Sequence, residues 1–250
     1  MGDIIKMSSL PKIMVFAPHQ DDELIMAGGR IIQAAKKGQE VCIVFIILPK
    51  NKAVANTRKE EALKVAQKLG VPMENIIFLK NYAVDLSREK KIKQNFRKIA
   101  RLIKLKRPDE IYIPAFEGGH FDHDATNYIV VNALKKSGIK AKLYEAPCYS
   151  YSSFFADMLR QIFAFQPRFF FLKSVPVLRL DLDSSELEFK KELFRIYSSQ
   201  NPKFLIKKFC FKDKFRECPD YDYLHPPFDI KKTNYSHYEK RWEKIFGALK

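Results

Sequence analysis

Hydrophobic and polar positions divide the first 150 residues into short apolar runs that alternate with helical patterns. The apolar runs predict strands, which we place at residues 13–17, 41–48, 76–79, 110–114 and 142–145. The stretches between them predict helices at about 22–37, 57–69, 87–106 and 124–136. This alternation is typical of a Rossmann-like α/β fold, with a mostly parallel sheet and helices on both faces.

The last hundred residues have a different character. Residues 154–171 are dense in aromatic side chains, 175–182 have the pattern of a strand, and 184–197 that of a helix. Residues 201–232 are rich in Pro, Tyr, Phe and Lys and have little periodicity, and a final helix is expected at 235–249.

Length and hydrophobic content fit a single domain. The chain has 250 residues, 46% of them hydrophobic, and no internal repeat or low-complexity linker divides it. We therefore predict one domain, with a core at about 12–200 and a C-terminal cap at about 201–250. The longest apolar run, residues 41–48, is far shorter than a membrane span, and residues 1–10 lack the pattern of a signal peptide. A cytoplasmic location is the resulting expectation.

The net charge of +16 suits an anionic partner, such as nucleic acid, an acidic membrane surface or a phosphorylated substrate. The basic residues are scattered, however, along helical stretches such as 90–106 and through the C-terminal part. Solvated helix faces account for most charge runs of this kind, so the charge by itself identifies no function.

Candidate chemistry is concentrated in two short segments, which hold three of the five histidines. Residues 17–23 (Ala-Pro-His-Gln-Asp-Asp-Glu) follow the first predicted strand, and residues 118–124 (Gly-Gly-His-Phe-Asp-His-Asp) follow the fourth. In the common 3-2-1-4-5 strand order the first and fourth strands are neighbours, and binding and catalytic residues lie beyond their carboxyl ends. The two segments are therefore expected to meet in one crevice.

The residue types in these segments suit a metal site. A catalytic zinc commonly takes three protein ligands from His and Asp or Glu. His19 and Asp22 lie three apart at a strand-to-helix turn and can face one metal, whereas Asp21 points elsewhere and is left to act as a base. Either His123 or His120 completes the site, and the other can serve as an acid. Each aspartate alone could simply cap a helix, but the conjunction of two His/Asp clusters after neighbouring strands favours a metal.

At these residues the chain resembles the PIG-L/LmbE-like family of metal-dependent N-deacetylases, over roughly residues 12–200. The family's first motif, (A)HPDDE followed by a glycine pair, corresponds to residues 19–23 with Gly28-Gly29, and its HxDH motif to residues 120–123. Weaker matches are Arg58-x-x-Glu61, Leu69-Gly70-Val71 and Tyr197-x-Ser199-Gln200.

The resemblance implies a zinc site formed by His19, Asp22 and His123, although two histidines and one carboxylate also suit Fe²⁺. It further implies a set of catalytic and binding roles: Asp21 as general base, His120 as acid or oxyanion stabiliser, Asp122 as the group that tunes a neighbouring histidine, and Arg58 as a substrate contact.

Two positions depart from the family pattern. Gln20 replaces the usual proline, and Gly118 stands where some members have a tyrosine that assists the tetrahedral intermediate. Tyr149 and Tyr151 are candidate stand-ins for that tyrosine.

The implied activity is removal of an acetyl group from an N-acetylated amino sugar, either lipid-linked or part of an anionic glycan, with peripheral contact to an anionic membrane as a further expectation. One alternative is a metal-dependent phosphoesterase acting on nucleic acid, but two-metal sites of that kind need more carboxylates than these segments supply. Another is a non-enzymatic Rossmann-like binding module. The first strand-to-helix turn has no G-x-G-x-x-G or Walker sequence, so nucleotide binding gains no support.

Overall fold

A mixed β-sheet forms the centre of the structure, a computed structural model that describes residues 10–82, 85–148, 172–233 and 236–249. In chain order its strands are β1 (Ile13–Ala17), β2 (Val41–Leu48), β3 (Ile76–Tyr82), β4 (Glu110–Pro114), β5 (Lys142–Ala146), β6 (Leu178–Leu180) and β7 (Asp213–Glu217). Within these residues the strands lie in the order β3-β2-β1-β4-β5-β7-β6. Strands β1 to β5 are parallel, whereas β7 is antiparallel to both of its neighbours. The predicted 3-2-1-4-5 order is confirmed.

Helices cover both faces of this sheet. They are α1 (Asp22–Lys36), α2 (Lys52–Leu69), α3 (Glu89–Lys106), α4 (Phe121–Ser137), α5 (Ser184–Ile196), α6 (Pro202–Phe209) and α7 (Trp242–Phe246). The central strand β1 shows why two cores form, because successive side chains of a strand point to opposite faces. Its residues Ile13, Val15 and Ala17 pack in the core with α1, α2 and α5. Met14 and Phe16 pack in the other core, with α3, α4 and α7.

Helix starts differ from the predicted ones where a side chain caps the first turn. The second helix begins at Lys52 rather than near 57, because the Asn51 side chain accepts hydrogen bonds from the backbone N–H groups of Ala53 and Val54. The fourth begins at Phe121 rather than near 124, with His120 at its N-cap. The second His/Asp segment therefore runs into the first turn of α4.

The region after residue 200 contains more regular structure than its weak periodicity predicts. It supplies α6, which begins with Pro202 after the capping residue Asn201, and β7, which pairs with β5 through Tyr144–Glu217 and Glu145–Arg216. The strand expected at 175–182 is only three residues long, and the final helix is a 3₁₀ segment at 236–241 followed by the short α7. The aromatic stretch 154–171 lies outside the described residues. A division of the domain near residue 200 stays a prediction.

No helix in the described parts of the chain is long and apolar enough to cross a membrane.

Candidate metal centre and active site

The first motif occupies the turn between β1 and α1, at the carboxyl edge of the sheet. Asp22 is buried at the start of α1, and its Oδ2 accepts a hydrogen bond of 2.8 Å from the backbone N–H of His19. The same oxygen lies 3.1 Å from His19 Nδ1. This turn therefore folds the Asp22 carboxylate back against the His19 imidazole.

The second motif meets the first because β1 and β4 are hydrogen-bonded neighbours. Nε2 of His123, a fully buried residue, lies 3.2 Å from Asp22 Oδ2. On the other side of His19, its Nε2 lies 3.1 Å from Asp122 Oδ2. The strand order thus brings together two segments about a hundred residues apart, as the sequence predicts.

The donor set fits a transition metal. His19, Asp22 and His123 offer ligand atoms that all lie within 4.8 Å of one another. Two imidazole nitrogens and one carboxylate oxygen suit zinc and ferrous iron alike, and they leave further coordination positions open. His19, His120 and Asp122 form a second, overlapping group that meets the same distance limit. The three imidazoles surround one point, with ring centroids 5.2 to 5.5 Å apart.

Hydrogen bonding defines the roles open to His120 and Asp122. His120 Nδ1 accepts a hydrogen bond of 3.2 Å from the backbone N–H of Asp122, so a neutral His120 carries its proton on Nε2. Asp122 contacts His19 through its side chain, which makes His19 the histidine whose ring it can orient.

The buried charges in this cluster shift one another's pKa values. Burial alone would lower the pKa of His19, but the hydrogen bonds and charges of Asp122 and Asp22 raise it to about 10. Burial opposes ionisation of Asp22 and Asp122 as well, yet the neighbouring histidines hold both carboxyl pKa values below the usual range. Burial and the positive charge of His123 and His19 lower the pKa of His120 to about 4.

Asp21 stands beside the donor group without being part of it. Burial, together with the negative charges of Asp22 and Glu23, raises the Asp21 pKa well above its usual range, and the charges of His19 and Arg58 partly offset this. Arg58 is half-buried, and its Nε has no hydrogen-bond partner among the described residues. The structure thus places Arg58 near the proposed base.

Several residues around the site had no assigned role in the sequence analysis. Glu23 is fully buried, and its two carboxylate oxygens accept hydrogen bonds from Tyr197 Oη at 2.5 Å and from the backbone N–H of Asp21 at 3.0 Å. The carboxylate of Asp124 accepts from the backbone N–H groups of Glu117 and Gly118 at 2.9 and 3.0 Å. Glu23 and Asp124 are the last residues of the two motif segments, and this position in the sequence could have indicated that they belong to the site.

Side chains from the C-terminal region pack against the loop before His120. Gly118 has φ 71°, and a Cβ atom there would lie 3.0 Å from side-chain atoms of Phe228 and Thr233. A tyrosine at this position would press against both residues and would have to adopt a left-handed backbone conformation, so this loop disfavours the tyrosine that some family members have there. The candidate stand-ins Tyr149 and Tyr151 lie outside the described residues.

The glycine pair of the first motif has a packing role. A Cβ atom on Gly29 would lie 2.6 Å from Leu182 Cδ2, and one on Gly28 would lie 2.9 Å from Lys190 Cε. The pair therefore lets α1 pack closely against α5, against Leu182 just before that helix, and against Asp213 at the start of β7.

Known structures share this fold at low sequence identity. The chain is similar to N,N'-diacetylchitobiose deacetylase from Pyrococcus horikoshii, with a TM-score of 0.57, 17% identity and 84% of each chain covered. It is similar to the zinc-inhibited form of teicoplanin deacetylase Orf2, with a TM-score of 0.61, 13% identity, and 84% of this chain and 99% of that one covered. The 4-carboxy-2-hydroxymuconate hydratase GalB from Pseudomonas putida KT2440 has a TM-score of 0.55 and 14% identity, over 85% and 98% of the two chains.

A family model agrees with the motifs. Residues 14–134, which contain both of them, match the model described as PIG-L: GlcNAc-PI de-N-acetylase. The resemblance inferred from the two motifs is thereby confirmed over residues 14–134, the part of this chain that matches the PIG-L family model.

Proposed function

We propose that this chain is a metal-dependent hydrolase that removes the acetyl group from an N-acetylated amino sugar. The observation that carries the proposal is the group of His19, Asp22 and His123, with a further carboxylate, Asp21, beside it at the carboxyl edge of the sheet. The match to a de-N-acetylase family and the fold shared with two deacetylases support the reaction type.

His19, Asp22 and His123 would hold the metal, for which zinc and ferrous iron are both suitable. Such an ion supplies Lewis acidity and lowers the pKa of water. Asp122 keeps the His19 ring in place through its contact with Nε2.

Proton transfer falls to Asp21 and His120. Asp21 lies outside the donor group, so its carboxylate stays available to accept the proton of the attacking water. His120 receives a hydrogen bond at Nδ1 and therefore presents an N–H at Nε2 when neutral. That N–H donates a hydrogen bond to the oxygen on which negative charge develops, and the leaving amine takes up the proton that Asp21 accepted from the water. His120 acts as the acid only when both of its ring nitrogens are protonated.

Arg58 is proposed to contact the substrate. Its Nε is buried without a hydrogen-bond partner among the residues described, and its charge acts on Asp21. A buried donor of this kind is costly unless it is paired, and a hydroxyl or phosphate of a bound sugar would pair it. A lipid-linked substrate, and contact with an anionic membrane through the net positive charge, belong to the same proposal.

Hydration of a carbon–carbon double bond is a second candidate, favoured by the fold shared with the GalB hydratase. That reaction also needs an activated water and a base, but it releases no acetate.

The test is acetate release by the purified protein loaded with zinc or with ferrous iron. N-acetylglucosamine, N,N'-diacetylchitobiose and N-acetylglucosaminyl-phosphatidylinositol are offered in turn, and acetate and free amine are both quantified. Release of acetate and free amine in equal amounts by the unmodified protein, with no release by Asp22→Ala, supports the proposal. No acetate from any of the three with either metal contradicts it. Activity only on the lipid-linked substrate, with co-sedimentation on anionic vesicles, would establish the membrane part.

A further inference from the structure

The peptide group that joins Gln20 to Asp21 is held at both of its polar atoms. Its carbonyl oxygen accepts a hydrogen bond from the side-chain Nε2 of Gln200. Its N–H donates to Glu23 Oε2 at 3.0 Å, and the other oxygen of Glu23 accepts from Tyr197 Oη at 2.5 Å. Two residues of the short segment 197–200 therefore hold the two polar atoms of this peptide, Gln200 directly and Tyr197 through Glu23.

This peptide sets an unusual backbone conformation at the proposed base. Asp21 has φ 123° and ψ −27°, in a region that favours glycine and is sparsely populated by other residues. The φ angle of Asp21 is the rotation about the bond from the nitrogen of this peptide to Cα. Strained conformations persist only where the surroundings fix them, and they cluster at functional sites.

The holding groups are themselves firmly anchored. Tyr197 and Glu23 are fully buried. The residues after Tyr197 form a 3₁₀ turn tied to α2, because Glu61 accepts hydrogen bonds from Ser198 Oγ at 2.9 Å and from the N–H and Oγ of Ser199 at 2.8 and 2.6 Å. The turn thus presents Gln200 to the peptide from a fixed position.

We propose that Tyr197 and Gln200 are positioning residues for Asp21. They hold the Gln20–Asp21 peptide so that φ of Asp21 stays positive and its carboxylate stays directed toward the attacking water. This inference rests on the proposed function for the role of Asp21. We call Gln200, Tyr197 and Glu23, which hold this peptide, the clamp. The metal ligands depend less on the clamp, because Asp22 is joined to His19 and His123 by contacts of its own.

The test compares Gln200→Ala and Tyr197→Phe with the unmodified protein, each loaded with metal. We expect unchanged metal content, a similar KM, and a kcat lower by about tenfold to a hundredfold, because displacing a catalytic group by about 1 Å can cost that much. In an Asp21→Ala background the same substitutions should change kcat less than about twofold, since residues acting through one group are not additive. A full additional loss in that background would overturn the proposal, and so would loss of bound metal in proportion to activity.

Matched controls separate this effect from general damage. Gln67→Ala removes an exposed glutamine of α2, and Tyr128→Phe removes a buried hydroxyl that accepts from the backbone N–H of Leu249. Both should retain kcat. If Tyr197→Phe fails to fold, Gln200→Ala carries the test, because Gln200 is only half-buried.

A crystal structure of the Gln200→Ala protein tests the clamp without any activity. We expect Asp21 to relax to a negative φ with His19, Asp22 and His123 still in contact. A φ that remains near the original value overturns the proposal, as does a relaxed φ with normal kcat. If the unmodified protein releases no acetate, the proposed function fails, while this conformational result still decides whether Gln200 holds the peptide.

Discussion

The imidazole of His123 lies 3.2 Å from the carboxylate of Asp22, and this contact joins the second motif of the chain to the first. The two residues come from the starts of different helices, α4 and α1, and belong to the same candidate metal group. Removing either should therefore disrupt the same site.

Metal content is the first prediction. We expect about one zinc or iron per chain after loading and dialysis, and almost none in Asp22→Ala or His123→Ala, because three protein ligands are the usual minimum of such sites. Elemental mass spectrometry measures this directly. Asp220→Ala and His225→Ala are matched controls at exposed positions, and they should keep the metal. A metal-free unmodified protein after loading with either ion would contradict the assignment.

Asp21→Asn should separate catalysis from metal binding. The amide cannot accept the proton of water, so we expect kcat to fall by about 10²- to 10⁴-fold while metal content stays normal. Acetate release under saturating substrate is the measurement, with Asp220→Asn as the exposed control. Turnover within about twofold of the unmodified protein would remove Asp21 from its proposed role.

Metal removal should lower thermal stability. A ligand present at about a hundred times its Kd stabilises the folded state by about 2.7 kcal/mol, which corresponds to about 5–10 °C in Tm for a domain of this size. We expect chelation to lower Tm by this amount, and to leave the Tm of Asp22→Ala unchanged. Calorimetry with and without chelator provides the comparison. An equal shift in both proteins would mean that the chelator acts elsewhere.

A buried ion pair should matter more to folding than an exposed one. Lys190 Nζ lies 2.6 Å from Asp213 Oδ1, both side chains are almost fully buried, and Asp213 also accepts from the backbone N–H of Arg30. Asp213→Ala leaves the lysine charge buried and should cost about 3–5 kcal/mol in the free energy of unfolding. Asp220→Ala, which breaks the exposed pair with Lys135, should cost less than about 1 kcal/mol. Denaturant titration of both variants measures these losses, and equal losses in the free energy of unfolding would contradict the prediction.

The sequence predicts those parts of the fold that depend on long periodic patterns. The order of β1 to β5 and the meeting of the two motifs follow from strand–helix alternation, which is visible locally. The pairing of β7 with β5 is invisible in this way, because five residues with mixed character acquire their partner only in the folded chain. The clamp on Asp21 is similar, since neither its positive φ nor the contact of Gln200 with Gln20 leaves a local pattern. The early start of α2 could have been found from Asn51, a good capping residue.

The packing of Phe228 and Thr233 against Gly118 has a consequence for how this protein can be divided. The family match ends at residue 134, but the ion pairs of Asp213 with Lys190 and of Arg216 with Glu145 lie wholly beyond it, and both involve β7. A fragment cut at the family boundary would expose the β4 edge of the sheet and uncover the loop that leads to His120. The segment that matches the family model, residues 14–134, is therefore shorter than the part of the chain that must fold as one unit. The shorter segment needs the residues that follow it in order to keep the site intact.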